Sequence, residues 1–240
     1  KMERQTSLCS VQQFEGEFDE EGVFVYQAFC AEIADWAVEH QAFGGDRFKP
    51  ERMTWIKPSF AWVLYRSGYG RKHNQERVLK VKISHDSLAE ILEQCQCKHG
   101  GGGSLGRVQW DPARDLFSSV DGKEPRKMLR KRAIQIGVKG RLSKLYVASV
   151  LSIEDVTPLA HQVGRAHAIM TSRKSRDSTA VGSNEEENPM QALQHMLPEE
   201  RVYMPTCSID TLVRLGMMPG VTAEDIYGLG RGKVKPPDST

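Results

Sequence analysis

Apolar positions along this chain repeat in two rhythms, and the change from one to the other marks its elements. Phe24, Ala28, Ile33, Trp36 and Ala37 fall at helical spacing, which predicts an amphipathic helix over residues 23–41, ended by Gly44-Gly45. Tyr26, Phe29 and Trp36 in this stretch read as core. Beyond Arg52 the rhythm shortens. Met53 to Ile56 has strand composition, Pro58 disfavours helix at Lys57, and Pro58-Ser59 opens a second helix with Phe60, Val63, Leu64 and Ser67 on one face. Gly68 and Gly70 give the freedom for a tight exit. Arg77 to Ser84 sets Val78, Lys80 and Lys82 against Leu79, Val81 and Ile83, a half-buried strand. Asp86 then caps a helix over Ser87 to Cys95.

Gly100 to Gly103 with Ser104 reads as a flexible linker. A phosphate-binding loop needs a helix after it, whereas Val108-Gln109-Trp110 reads as a strand, stopped by Asp111-Pro112. The basic stretch Pro125 to Arg132 leads into a further strand, Ala133 to Val138. Leu142 to Ile153 fits strand or helix equally, and Thr157-Pro158 starts a helix reaching about Met170. A short helix over Met190 to Met196, an edge strand over Arg201 to Met204 and a capped helix over Ser208 to Leu215 complete the pattern. The expected organisation is a loose polar lead-in over residues 1–22, one α+β domain over 23–218 with a disordered low-complexity insertion at 171–188, and a flexible tail over 219–240. Its sheet is expected to be mixed and mainly antiparallel, with flanking helices.

Composition changes this picture little. Hydrophobic residues at 39% and charged residues at 27% are ordinary for a soluble globular protein. The apolar runs are broken too often for a transmembrane helix, so no membrane association is expected. The basic first residues lack the apolar core of a secretory signal. Five scattered cysteines (Cys9, Cys30, Cys95, Cys97 and Cys207) form no disulfide framework, which points to a reducing, intracellular compartment, cytoplasmic or nuclear. Organellar targeting stays open if the chain is trimmed. The net charge of +2 is too small to imply nucleic acid, but Lys123 to Lys144 carries nine cations against the single acid Glu124, so charge location matters more than balance.

Candidate chemistry concentrates between Arg52 and Gly70. Arg52, Lys57 and Arg66 there can clamp phosphate oxygens. Ser59 and Ser67 add hydroxyl donors, and Trp55, Trp62 or Tyr69 a stacking surface. Ser59 stands at a helix N-terminus, which favours an anion. The plainer alternative is that the cations are solvated or salt-bridged and the aromatics are core. Gln109 and Asp111, two apart on a strand, point the same way and can line one wall of a pocket, although an Asp before Pro is a common turn former. Gln135 faces away from Ile134 and Ile136, on a wet face or in a site. Cys95-Gln96-Cys97-Lys98-His99 invites a zinc reading, but no second ligand pair has suitable spacing, and no metal site is expected. No nucleophile elbow, Walker loop, zincin helix or lysine-centred ligase pattern is present.

These stretches also carry a resemblance. Val25-Tyr26-Gln27-Ala28, Arg52 to Gly70, Gln75-Glu76-Arg77-Val78-Leu79, Val108-Gln109-Trp110-Asp111-Pro112 and Ala133-Ile134-Gln135-Ile136-Gly137 resemble the successive blocks of a conserved, uncharacterised domain-of-unknown-function family. That family is widespread in bacteria and occurs in some fungi and other eukaryotes. The resemblance covers about Val23 to Pro158, with an echo near Leu197 to Pro205. Ala61 and Leu64 depart from it, where bulkier residues are expected. It implies that Lys57, Ser59, Arg66, Gln75, Gln109, Asp111 and Gln135 match recurrent polar positions, and it brings no established activity.

Two functional readings follow. In the first the chain is similar to the ADP-ribosyltransferases, small folds with a split antiparallel sheet that bind NAD. Arg66, Gln135 and Asp111 are then the catalytic candidates. Arg52, Lys57, Ser59, Tyr69 and Gln109 are the residues binding NAD or a related phosphorylated nucleotide, with Tyr69 stacked on nicotinamide and Gln135 by the ribose. Positioning and electrostatics would stabilise an oxocarbenium-like centre, and the segment Lys123 to Lys144 suits a nucleic-acid acceptor. In the second the chain is a non-catalytic RNA-binding module using that basic segment and exposed aromatics, a reading that the lack of a clear His or Glu base favours. A metal-dependent nuclease would need more clustered carboxylates than Asp111 and Glu76 provide. The sequence leaves the oligomeric state open.

Overall fold

Hydrogen-bond ladders settle which apolar stretches are strands. The computed structural model describes residues 12–97, 104–116, 128–177 and 189–217. Its elements in order are β1 (Glu15–Gly16), β2 (Gly22–Phe29), α1 (Ala31–His40), β3 (Thr54–Ile56), α2 (Phe60–Ser67), β4 (Arg77–Ser84), α3 (His85–Glu93), β5 (Cys95–Cys97), β6 (Gly106–Arg114), β7 (Met128–Val138), α4 (Arg141–Ala148), β8 (Val150–Asp155), α5 (Thr157–Asp177), a 3-10 turn (Gln191–Met196), β9 (Arg201–Val202) and α6 (Ile209–Arg214). The fold is α+β. One sheet has the order β2-β4-β8 and is antiparallel throughout, and a second has the order β3-β7-β6-β5, parallel only between β5 and β6. β1 pairs with β9 in a short antiparallel ribbon.

The two larger sheets meet edge to edge at one isolated bridge. Just beyond β3, Lys57 exchanges backbone hydrogen bonds with Tyr26 of β2, at 2.7 Å from Tyr26 N–H to Lys57 O and 3.2 Å in return. Alternation then divides the core. Val23, Val25, Leu79, Val81, Ile83, Ile134 and Ile136 pack with α1, α3 and α4 on one side. On the other side Tyr26 and Val78 pack with Phe60, Val63 and Leu64 of α2 and Ala160 and Val163 of α5.

Several sequence expectations need correction. Residues 23–41 are not one helix: Val23, Val25 and Tyr26 are buried on both faces of β2, and helix begins only at Ala31. The lead-in is not loose throughout, because Phe14 is fully buried and β1 is paired. Asp111-Pro112 does not stop its strand: β6 runs on to Arg114 with a register shift after Pro112, the irregularity that accommodates a proline in a ladder. The cap of α3 is Ser84, whose side chain accepts from Ser87 N–H, and not Asp86. Leu142 to Ile153 splits into α4 and β8. The helix from Thr157 continues to Asp177, into the stretch expected to be disordered. The glycine linker and the tail from residue 218 lie outside the described residues.

Candidate functional site

Lys57 is held at the seam between the sheets by its own backbone, with Pro58 fixing the exit into α2. Four residue types converge around it from three further elements. Trp62 and Arg66, four apart, lie on one face of α2. Gln109 and Asp111 project from β6 on the side opposite Val108 and Trp110, and Gln135 of β7 is the direct cross-strand partner of Gln109. Together with Gln27, Thr54, Trp55 and Gln75 they line a cavity of about 520 Å³. Behind the wall, Gly137 pairs with Trp55, and a Cβ there would lie 2.8 Å from Met53 Sδ and 3.1 Å from the Trp55 indole, so a side chain would press on both of these cavity residues.

The electrostatics of this cavity are uneven. Lys57 is 9% exposed, and its Nζ donates to the Trp55 carbonyl at 2.9 Å while lying 5.6 Å from the Trp62 ring centre. Burial brings its ammonium down from 10.5 to about 7; Arg66 adds to the lowering and Asp111 opposes it. Arg66 is exposed, and its guanidinium has no ion-pair partner among the described residues. One carboxylate oxygen of Asp111 accepts from Gln109 Nε2 at 2.7 Å, and the other is buried with no hydrogen-bond partner. Gln135, 5% exposed, has an amide with no partner among the described residues. Among the described residues the site thus holds a cation, a carboxylate oxygen and an amide that do not satisfy one another.

Of the eight catalytic and binding candidates, five, Lys57, Arg66, Gln109, Asp111 and Gln135, therefore come together, and Gln75, another of the recurrent polar positions, joins them. Arg52 does not join them. It lines an adjoining cavity of about 470 Å³ that shares Phe29, Met53 and Thr54 with the first and also carries Arg47 and Lys49. Tyr69 cannot serve as a stacking platform there. After Gly68 both backbones turn into positive φ (61° each), which carries the Tyr69 ring into the core between α2 and α5, against Gly164 and 5.5 Å from His167. Gln27 was hidden by the helical reading of its segment. Once Val23 to Phe29 is a strand, it is the one polar side chain in register with Val23 and Val25. Its Nε2 donates to Thr54 Oγ1 (2.8 Å) and the Trp55 carbonyl (3.2 Å), and its Oε1 accepts from Tyr146 of α4 at 2.6 Å.

Ser59 is a cap, not a cavity residue of the first site. Its hydroxyl accepts from Trp62 N–H at 3.4 Å, and it borders a separate cavity of about 300 Å³ with Glu200, Lys131 and Arg132. Glu200 completes the cap by accepting from Phe60 N–H at 2.7 Å. Burial raises its carboxyl to about 7, against the hydrogen bonds from Phe60 and Ser59. A carboxyl raised in the folded state costs stability as pH climbs from the unfolded value of 4.5 to about 7. Glu200→Gln keeps an acceptor for Phe60 and should flatten that decline, giving a higher Tm than wild type above pH 7 and little difference near pH 4; thermal melts across pH measure it.

In its described part the basic run is spread along β7 and into α4. Arg132 and Arg141 stand beyond opposite ends of the inner half of β7, about 20 Å of strand apart. Lys131 is paired with Glu15 at 2.5 Å. Among the described residues, no helix is long and apolar enough to cross a membrane, and no group of three or more His, Cys, Asp or Glu is placed to hold a metal ion.

Comparison with known proteins agrees with the blocks read from the sequence. The model of a family described as Domain of unknown function (DUF4291) matches residues 13–203, which include every residue lining the cavity around Lys57. No curated protein matches the chain.

Proposed function

The chain belongs to the DUF4291 family, and from that premise we propose that it is a transferase of the ADP-ribosyltransferase-like kind, which binds NAD or a related phosphorylated nucleotide in the cavity at the seam. One observation supports this reading: among the described residues the guanidinium of Arg66 has no ion-pair partner, and Asp111 on the same cavity has a buried carboxylate oxygen with no hydrogen-bond partner, so the two do not neutralise each other. A ligand satisfying both has an anionic group and a centre that becomes positive during reaction. NAD offers both, in its pyrophosphate and in the ribose carbon that turns oxocarbenium-like as nicotinamide departs.

In this reading Arg66 holds phosphate oxygens, and Gln109 and Gln135 reach the ribose hydroxyls. Trp55 and Trp62 supply the aromatic surface that Tyr69 does not. A cavity of about 520 Å³ is within the range of small-ligand sites, roughly 300–1,000 Å³. The adjoining cavity, with Arg47, Lys49 and Arg52, gives an anionic acceptor such as nucleic acid a route to the reacting carbon.

NAD and ADP-ribose are expected to raise the Tm. Arg66→Ala should abolish that rise while leaving the Tm of the free protein within about 1 °C, because Arg66 is exposed and has no ion-pair partner among the described residues. The exposed cations of the adjoining cavity favour a second reading, a non-catalytic RNA-binding module. No shift with any nucleotide, together with tight RNA binding that weakens steeply with salt, would select it.

A further inference from the structure

We propose that Lys57 is the general base of the transfer, its neutral amine taking the proton of the acceptor hydroxyl as that oxygen attacks the ribose carbon. This rests on the reading of the cavity as a nucleotide transferase site. What the first reading lacked was a base: among the described residues the cavity is lined by no histidine and by a single carboxylate, Asp111. Lys57 fills that place.

Its geometry is that of a positioned base rather than a phosphate anchor. The backbone is fixed on both sides, by the bridge to Tyr26 and by Pro58. The side chain is desolvated against Trp62, and among the described residues its one hydrogen bond goes to the Trp55 carbonyl, an acceptor that leaves the nitrogen lone pair free. Arg66, exposed on the same cavity, already supplies a permanent cation for phosphate, so a second charged anchor is not required. The charged groups facing Lys57 are Arg66 of α2 and Asp111 of β6. Burial lowers the ammonium most, Arg66 adds to the lowering and Asp111 opposes it, which brings the amine to about 7, the value at which a base works best at neutral pH.

The step balances. The acceptor O–H bond breaks and its proton passes to Lys57 Nζ. The acceptor oxygen forms a bond to the ribose carbon, and the glycosidic C–N bond breaks with its electron pair leaving on neutral nicotinamide. The new ammonium lies in the field of Asp111, whose second oxygen has no other partner, and returns its proton to water when product leaves.

Two measurements test this. The first treats the folded protein with pyridoxal 5′-phosphate and borohydride at pH 7, followed by peptide mapping. An aldehyde traps only a neutral amine, and the phosphate suits Arg66. Lys57 should be labelled ahead of the exposed lysines and be protected by NAD. The second measures nicotinamide release in Lys57→Met and Lys57→Arg, with the NAD-induced Tm shift as the control for a folded, binding site. Lys57→Met should keep the shift, and both variants should lose about 10²–10⁴-fold in turnover. The wild-type rate should rise with pH to a plateau above about 7, a dependence absent from the residual rate of Lys57→Met. Turnover that survives in Lys57→Arg, or exposed lysines labelled while Lys57 is not, overturns the assignment of Lys57 alone. Absence of any NAD binding or consumption overturns the nucleotide reading and this assignment with it.

Discussion

Gln27→Leu is expected to destabilise the protein by about 3 kcal/mol, although it replaces one buried side chain with another of similar volume. The cost comes from what the amide leaves behind. Tyr146 is fully buried in α4, and its hydroxyl donates to Gln27 Oε1; Thr54 Oγ1 and the Trp55 carbonyl receive the two Nε2 hydrogens. Removing Gln27 orphans the tyrosine hydroxyl in an apolar core and frees β3 from its side-chain tie to β2. A lowering of Tm by about 6–12 °C is the expected readout. Tyr146→Phe alone should cost about 1 kcal/mol, and adding it to Gln27→Leu should recover part of the loss, since removing both partners of a buried hydrogen bond is cheaper than removing one. Strictly additive losses in that cycle would show that the Gln27–Tyr146 bond contributes nothing.

Lys57→Met should have the opposite sign, stabilising the protein by about 2–4 kcal/mol at pH 7 while removing the proposed base. Lys57 is 9% exposed, and burial lowers its ammonium from 10.5 to about 7. Between those values the unfolded chain binds a proton that the folded chain does not, so wild-type stability rises with pH across the window and the full penalty is present below pH 7. Methionine carries no such penalty and fits the same volume. The gain should therefore be constant below pH 7, shrink through pH 8 and 9, and vanish near pH 10.5. A variant less stable than wild type at pH 7 would mean that the amine is charged and paired in the folded protein. A gain in stability from removing a site residue is the expected signature of a group held for its chemistry.

The local signals in the sequence located most elements but not their partners. Pro58-Ser59 and the glycines after Ser67 delimit α2, and the β-branched alternation of Arg77 to Ser84 delimits β4, because those signals act within a few residues. Val23 to Phe29 misled because Phe24 and Ala28 fit a helical face as well as a strand; pairing with β4 along eight residues decided the matter, and that pairing is long-range. The same limit applies to the site. Strand parity was enough to put Gln109 beside Asp111 and to turn Gln135 away from Ile134 and Ile136. Their meeting with Lys57 and Arg66 depends on the register of β6 on β7 and of β7 on β3. Tyr69 shows the reverse case. A residue adjacent in sequence to the site leaves it because one left-handed turn redirects the chain. Lys57 was legible as a cation but not as a buried one, and burial is what changes its chemistry.

The bridge between Tyr26 and Lys57 also has a mechanical meaning. Each sheet is laddered along its strands, whereas among the described residues the backbone link between the two is this bridge, to which Gln27 adds a side-chain tie and the shared core its packing. Two adjacent bonds of this kind resist sliding along the strand direction far better than they resist rotation about their own line. Lys57 therefore stands on the line where the two ladders join, tied by its backbone to β2 on one side and continuous with β3 on the other.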